Sequence, residues 1–222
     1  MGSRMQASSL NNHGVALLIS GQSSFAMRLF QRALVVLQEC THGESPPNAN
    51  TDITLEGAGM PLHDSVSLSE LQDRQSFSYI YDHGILIVDS TQANNETTIS
   101  LYSAVILFNS ALASHRKGRL ERSEASLKKA LLLYEMCGAL LKTTTAAQND
   151  MSITTLILLA LNNKAHIHHE QLEYAESQTC LAEISDTMSA VECIHSTLRH
   201  VNVEAFILNV MLMGPPTTAR AA

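Results

Sequence analysis

The residues best suited to chemistry are three histidines and a glutamate that lie close together, His166, His168, His169 and Glu170. On a helix, His166, His169 and Glu170 share one face, and imidazole and carboxylate groups are ligands that zinc accepts. Their order differs from the H-E-x-x-H arrangement of zinc proteases. Histidines near a helix end also interact favourably with its carbonyl groups without any metal. The sequence therefore favours surface or packing histidines, with a metal-dependent enzyme as the alternative.

Known catalytic motifs are absent from the sequence. It contains no G-x-S-x-G, no P-loop, no G-x-G-x-x-G and no local cysteine–histidine signature. Gly57 and Gly59 lack the lysine and the serine or threonine that complete a phosphate-binding loop. We therefore expect a protein that is not an enzyme and binds no cofactor and no metal.

Charge and hydropathy exclude two classes of partner. The net charge is −7, and residues 41–100 hold nine carboxylates against one arginine, so the chain is poorly suited to wrapping a phosphate backbone. The longest apolar runs, Leu156–Leu161 and Phe206–Met213, are far shorter than the ~20 residues that span a bilayer. We expect neither nucleic acid nor membrane as a partner.

The cysteines indicate a reducing compartment. No two of the four are in C-x-x-C spacing, and the segment at the start of the sequence lacks the apolar run of a secretory signal. The four are Cys40, Cys137, Cys180 and Cys193. We expect buried, reduced thiols in a cytoplasmic protein, with a nuclear location as the alternative.

One spacing of asparagine, small and bulky residues occurs three times. In each copy an asparagine precedes a small residue by two positions, and a second small residue follows twelve positions later. The copies are Asn12, Gly14, Ala26, Phe30, Ala33; Asn109, Ala111, Ser123, Leu127, Ala130; and Asn163, Ala165, Ser177, Leu181. Small residues allow helices to pack closely, so the pattern predicts three two-helix hairpins, with Gly118 ending the first helix of the second copy.

The spacing resembles that of tetratricopeptide repeats (TPRs), which place small and bulky residues at these positions. The resemblance covers three hairpins, although here the copies do not follow one another every ~34 residues. It implies an all-α, TPR-like array in a single domain over residues 1–222. The predicted parts are hairpins 1–40, 100–142 and 150–190, a capping helix 191–213, a disordered tail 214–222, and an acidic insertion 41–99 with an extended or β segment at about 77–90. A short ribbon is marginal alone, so this segment must dock on the helices.

The resemblance also assigns a role to Asn12, Asn109 and Asn163. In this family the equivalent position lines a concave groove, where asparagine hydrogen-bonds the backbone of a bound peptide as both donor and acceptor. The alternative is that these amides satisfy local backbone groups or face water. Arg116 and Lys117 are further candidates, for an acidic partner or for the chain's own acidic insertion, unless they form only a solvated corner.

Together these features predict a noncatalytic scaffold or adaptor that binds peptide segments of partner proteins. A metal-dependent enzyme and a structural subunit that assembles with itself or into a larger complex are the competing interpretations.

Overall fold

The computed structural model describes residues 2–41, 55–57, 80–87, 96–143, 151–190 and 203–213. These residues form α1 Ser3–Ile19, α2 Ser23–Thr41, β1 Leu55–Gly57, β2 Ile85–Ile87, α3 Glu96–Glu121, α4 Glu124–Thr143, α5 Met151–Glu170, α6 Tyr174–Ala190 and α7 Val203–Met213. The predicted mostly helical fold is confirmed, and the predicted extended segment contains β2. The tail 214–222, residues 191–202 of the capping helix, Cys193 and most of the acidic insertion lie outside the described residues.

Three helix pairs turn through corners of one geometry. At each corner a residue with positive φ is followed by a residue whose N–H bonds a carbonyl five positions back, the Schellman pattern that satisfies the last carbonyls of a helix. The φ values are 79° at Gly21, 51° at Arg122 and 63° at Leu172. The corresponding N–H to carbonyl distances are Gln22 to Leu17 2.8 Å, Ser123 to Gly118 2.8 Å and Glu173 to His168 2.9 Å. Two of these corners use a residue with a Cβ, although glycine adopts positive φ more easily.

The chain divides into two compact units, each described by itself: Met1–Pro61 with Asp82–Ala160, and Leu62–Tyr81 with Leu161–Ala222. In the first unit α1 packs on α2, α2 on α3 and α3 on α4, and both α1 and α3 contact β2. In the second unit α6 packs on α7. A single domain over residues 1–222 remains a prediction, as does the TPR-like arrangement of these helices.

Close packing between α1 and α2 depends on Gly14. A Cβ added there would lie 2.5 Å from Cε1 of Phe30, closer than carbon atoms approach without something shifting. Phe30 is fully buried, together with Ala26 and Ala33. The other predicted packing residues that are buried are Ala111, Ala130, Ala165, Ser177 and Leu181. In the third hairpin the Ser177 hydroxyl donates to the carbonyl of Ala165 at 3.0 Å, joining α6 to α5.

The second hairpin differs from the predicted register. Gly118 does not end α3, which continues to Glu121; its Cα instead faces Leu127, and an added Cβ would lie 2.7 Å from that side chain. Ser123 precedes α4 and caps it, since its Oγ accepts a hydrogen bond from the N–H of Ser126 at 3.3 Å. It is therefore not the equivalent of Ala26 or Ser177, because α3 runs one helical turn further beyond Asn109 than α1 and α5 run beyond their asparagines.

Within the described part of the chain, no helix combines the length and the apolar character that crossing a bilayer requires. Cys137 and Cys180 are buried, and neither is in a disulfide.

Candidate peptide-binding surface

In the first unit, Asn12 and Asn109 hydrogen-bond the backbone of the extended segment that contains β2. The Asn109 carboxamide accepts from the N–H of Ile85 and donates to its carbonyl, both at 2.8 Å. The Asn12 carboxamide likewise accepts from the N–H of Ile87 and donates to its carbonyl, both at 2.9 Å. In an extended chain the N–H and C=O of one residue point to the same edge, so a carboxamide can replace the neighbouring strand. Two of the predicted groove residues thus bind a segment of this chain.

Two further side chains, Asn11 and Ser8, complete this contact. The Nδ2 of Asn11 donates to the carbonyl of Ile85 at 3.0 Å, and the hydroxyl of Ser8 donates to the carbonyl of Ile87 at 3.1 Å. The Oδ1 of Asn11 accepts from Nδ2 of Asn109 at 2.8 Å, which ties α1 to α3. The sequence reasoning missed both residues. The available signal was position: Asn11 and Ser8 precede Asn12 by one residue and by about one helical turn.

The side chains of the segment alternate between burial and partial exposure. Ile85 and Ile87 are 3% and 1% exposed, whereas Leu86 is half-buried. Leu86 lies opposite Glu56 in the antiparallel β1–β2 pair, so the edge of β2 that faces away from the asparagines is paired. Gly84 contacts α1 so closely that an added Cβ would lie 2.8 Å from Cγ1 of Val15.

The second unit contains the same chemistry at Asn163. Its Oδ1 accepts from the N–H of Tyr81 at 3.0 Å, and its Nδ2 donates to the carbonyl of Tyr81 at 2.8 Å. Asn162 donates to Oδ1 of Asn163 at 3.3 Å and accepts from Asn209 of α7 at 2.6 Å. Asn162, Asn163 and Asn209 are all buried. Asn209 therefore holds the carboxamide of Asn162, which in turn orients Asn163. The sequence pattern did not indicate this role of Asn209.

The asparagines of the first unit are neutral, and they hydrogen-bond backbone groups of Ile85 and Ile87 rather than side chains. A typical hydrogen bond of this kind contributes about 1 kcal/mol net, whereas a buried group left without its partner costs about 1–3 kcal/mol. Asn109 is 0% exposed, so the surface depends on an extended backbone to satisfy its carboxamide. A carboxamide can hydrogen-bond an extended backbone as both donor and acceptor, and it carries no charge for acid–base chemistry.

The two basic candidates are engaged elsewhere in the first unit. The guanidinium of Arg116 donates to the carbonyl of Leu18 at 2.8 Å, in the last turn of α1. Nζ of Lys117 lies 3.9 Å from a carboxylate oxygen of Glu121 one turn along α3. A role for Arg116 and Lys117 in binding an acidic partner stays a prediction.

The histidine cluster is only partly assembled. Nδ1 of the buried His166 lies 3.7 Å from a carboxylate oxygen of Glu170. The ring of His169 packs edge-on against Tyr174, with ring centroids 5.4 Å apart. His168 lies 2.7 Å from Glu173 at the corner between α5 and α6. The structure thus pairs His166 with Glu170 and directs His169 to an aromatic ring.

Two other titratable groups of the first unit are held in their uncharged forms. Burial, with a smaller contribution from the charge of Arg119, lowers the pKa of His115 to about 3. Burial raises the pKa of the Cys137 thiol. A thiol becomes a strong nucleophile only as the thiolate, so Cys137 is poorly reactive at neutral pH.

No family model, no curated protein and no solved structure matches this chain. The likeness to tetratricopeptide repeats therefore rests on the residues of the three copies themselves.

Proposed function

We propose that this protein is a noncatalytic, TPR-like scaffold that binds extended peptide segments of partner proteins in the cytoplasm or nucleus. One observation carries the proposal: Asn12 and Asn109, identified by their position in the repeated pattern, each make two hydrogen bonds to the backbone of one residue of an extended segment. Asn163 does the same in the second unit.

The chemistry of the surface agrees with this role. Each carboxamide uses its acceptor for an N–H and its donor for a carbonyl, which is what any extended peptide offers regardless of its side chains. The buried thiols of Cys137 and Cys180, which are not in disulfides, agree with a reducing compartment. Affinity in the micromolar range is expected, because short peptides lose much conformational freedom on binding.

A random peptide library selected on the full-length chain tests the proposal. The library should be selected on the wild type and on Ile85→Asp, in which a carboxylate at a buried position opposes seating of the chain's own segment. We expect enriched peptides whose affinity falls at least about tenfold in Asn109→Leu, because that variant loses both bonds to the peptide backbone.

The control is Gln31→Leu, which removes an exposed carboxamide from α2 and should leave peptide affinity unchanged. Circular dichroism must show that each variant keeps its helix content. Failure to enrich any peptide on the folded wild type and on the folded Ile85→Asp variant overturns the proposed function.

A further inference from the structure

We propose that the surface formed by α1 and α3 accepts, from a partner, an extended peptide in which glycine is followed by an aliphatic residue, any residue and a second aliphatic residue. Residues 84–87, Gly-Ile-Leu-Ile, carry this pattern and occupy the surface until such a peptide displaces them. This inference rests on the proposed function and specifies the partner's sequence.

The register of the bound chain is set by the two asparagines. Asn109 takes both backbone groups of one residue and Asn12 those of the residue two positions later, Ile85 and Ile87 here. An incoming peptide must therefore be extended across these positions. Because alternate side chains of an extended chain point to opposite faces, the two residues whose backbones are bound also place their side chains on one face.

Glycine is required at the position before the first bound residue. A Cβ at Gly84 would lie 2.8 Å from Cγ1 and 3.1 Å from Cγ2 of Val15, which is fully buried on α1. Valine is stiff about χ1 and has one strongly preferred rotamer in a helix, so Val15 cannot easily turn its methyl groups away. The surface thus excludes side chains at this point of the peptide.

The next three positions differ in how strongly they restrict the side chain of a bound peptide. Ile85 and Ile87 are almost completely buried, so their counterparts in a partner must be apolar and of similar volume. Leu86 is only half-buried, so the surface tolerates other side chains at this position of a partner peptide. Together with Gly84, these positions define the pattern.

The internal segment binds the surface as a separate ligand would. Its contacts with α1 and α3 are noncovalent, and an incoming peptide would remake the same backbone hydrogen bonds. The segment competes because it is tethered, which gives it an effective concentration that reaches the millimolar range for short linkers. A partner peptide must therefore outcompete it, and its apparent affinity falls by the fraction of molecules in which the surface is open.

The test uses a synthetic peptide of residues 82–88, Asp-His-Gly-Ile-Leu-Ile-Val, extended by lysines for solubility and labelled for fluorescence anisotropy. Full-length Ile85→Asp should bind it at least about tenfold more tightly than wild type, because the internal competitor is weakened. The matched control is Leu86→Thr, which puts a polar side chain on the half-buried side of β2 without a like charge opposite Glu56 and should behave as wild type.

Selectivity for glycine is measured with the same peptide carrying alanine in place of its glycine. We expect an at least about tenfold loss of affinity for Ile85→Asp, and recovery of much of it when Val15→Ala is added to that protein, because the clashing methyl groups are then absent. Equal affinity for the glycine and alanine peptides overturns the inference.

A second measurement serves if Ile85→Asp loses its helix content. Excess peptide added to wild type should speed hydrogen exchange at the amides of Ile85 and Ile87, which are bonded to asparagine in the closed state. Unchanged exchange at peptide saturation overturns displacement. If library peptides lacking the pattern bind while the probe does not, the inference fails and the proposed function stands; if no peptide binds at all, both fail.

Discussion

Gly84→Ala in the intact chain gives the sharpest test of how residues 84–87 pack on α1. The new methyl group would lie 2.8 Å from Cγ1 of Val15, and overpacking of this kind costs about 1–3 kcal/mol. The conformational freedom that alanine removes from the unfolded chain offsets about 0.4–1 kcal/mol of this. We expect a net loss of about 1–2 kcal/mol in the free energy that holds the segment in place.

Val15→Ala should rescue this loss. Alone, it removes two buried methyl groups and should cost about 2 kcal/mol, from ~0.8 kcal/mol per group plus a small cavity term. In the double variant the methyl of the new alanine lies 3.4 Å from the Cβ that position 15 retains, an ordinary contact, and fills part of the vacated space. The cost of the double variant should therefore be at least about 1 kcal/mol smaller than the summed costs of the two single variants.

Native-state hydrogen exchange at the Ile85 amide measures the free energy of opening for all four proteins. Gly138→Ala is the control, because nothing lies within 4 Å of a Cβ at that helical position, and it should stabilise α4 by about 0.5–1 kcal/mol. Costs that add to within about 0.5 kcal/mol would refute the contact between Gly84 and Val15.

Three other expectations concern stability. Gly14→Ala should lower the free energy of unfolding by about 2–3 kcal/mol because its Cβ meets Phe30, and Phe30→Leu should restore part of this in urea titrations. As pH falls from 6.5 towards 3, the unfolded chain binds a proton at His115 that the folded chain does not, so stability should fall, by up to about 2 kcal/mol at pH 5. His115→Asn should remove this part of the pH dependence. Leu172→Gly should raise Tm, because relieving positive φ recovers about 1 kcal/mol.

Each of these has an outcome that contradicts it. Equal stability of Gly14→Ala and wild type would show that α1 and α2 are not in close contact at this point. A pH dependence that is the same in wild type and His115→Asn would contradict the low pKa of His115. A lowered Tm for Leu172→Gly would mean that the leucine side chain stabilises its corner by more than the backbone strain.

Local signals in the sequence predict the helices well. The hairpins predicted at 1–40, 100–142 and 150–190 correspond closely to the helix pairs that begin at Ser3 and end at Ala190. This succeeds because capping residues, apolar periodicity and corners are encoded within a few residues of each other. The register of the second hairpin was wrong because small residues occur at several positions, and an added helical turn changes which of them face the partner helix.

Local signals in the sequence could not predict which segment Asn12 and Asn109 bind. The positions of Asn12 and Asn109 indicated that each would bind peptide backbone, but Asn12 bonds Ile87, which is far away along the chain. Such long-range pairings leave no local periodicity, and a carboxamide accepts any extended backbone equally well. The close contact between Gly84 and Val15 likewise appears only when residues 84–87 and α1 are packed together.

The distance along the chain between the asparagines of α1 and their backbone partners has a consequence for biosynthesis. When α1 and α2 leave the ribosome, the carboxamides of Asn11 and Asn12 lack their backbone partners, because Ile85 and Ile87 have not yet been translated. Pairings between residues this far apart in the chain form slowly, because the intervening loop must close before they do. The hydrogen bonds between α1 and β2 therefore form late, once β2 has been made, and a nascent chain arrested before residue 85 lacks the strand that pairs with these carboxamides.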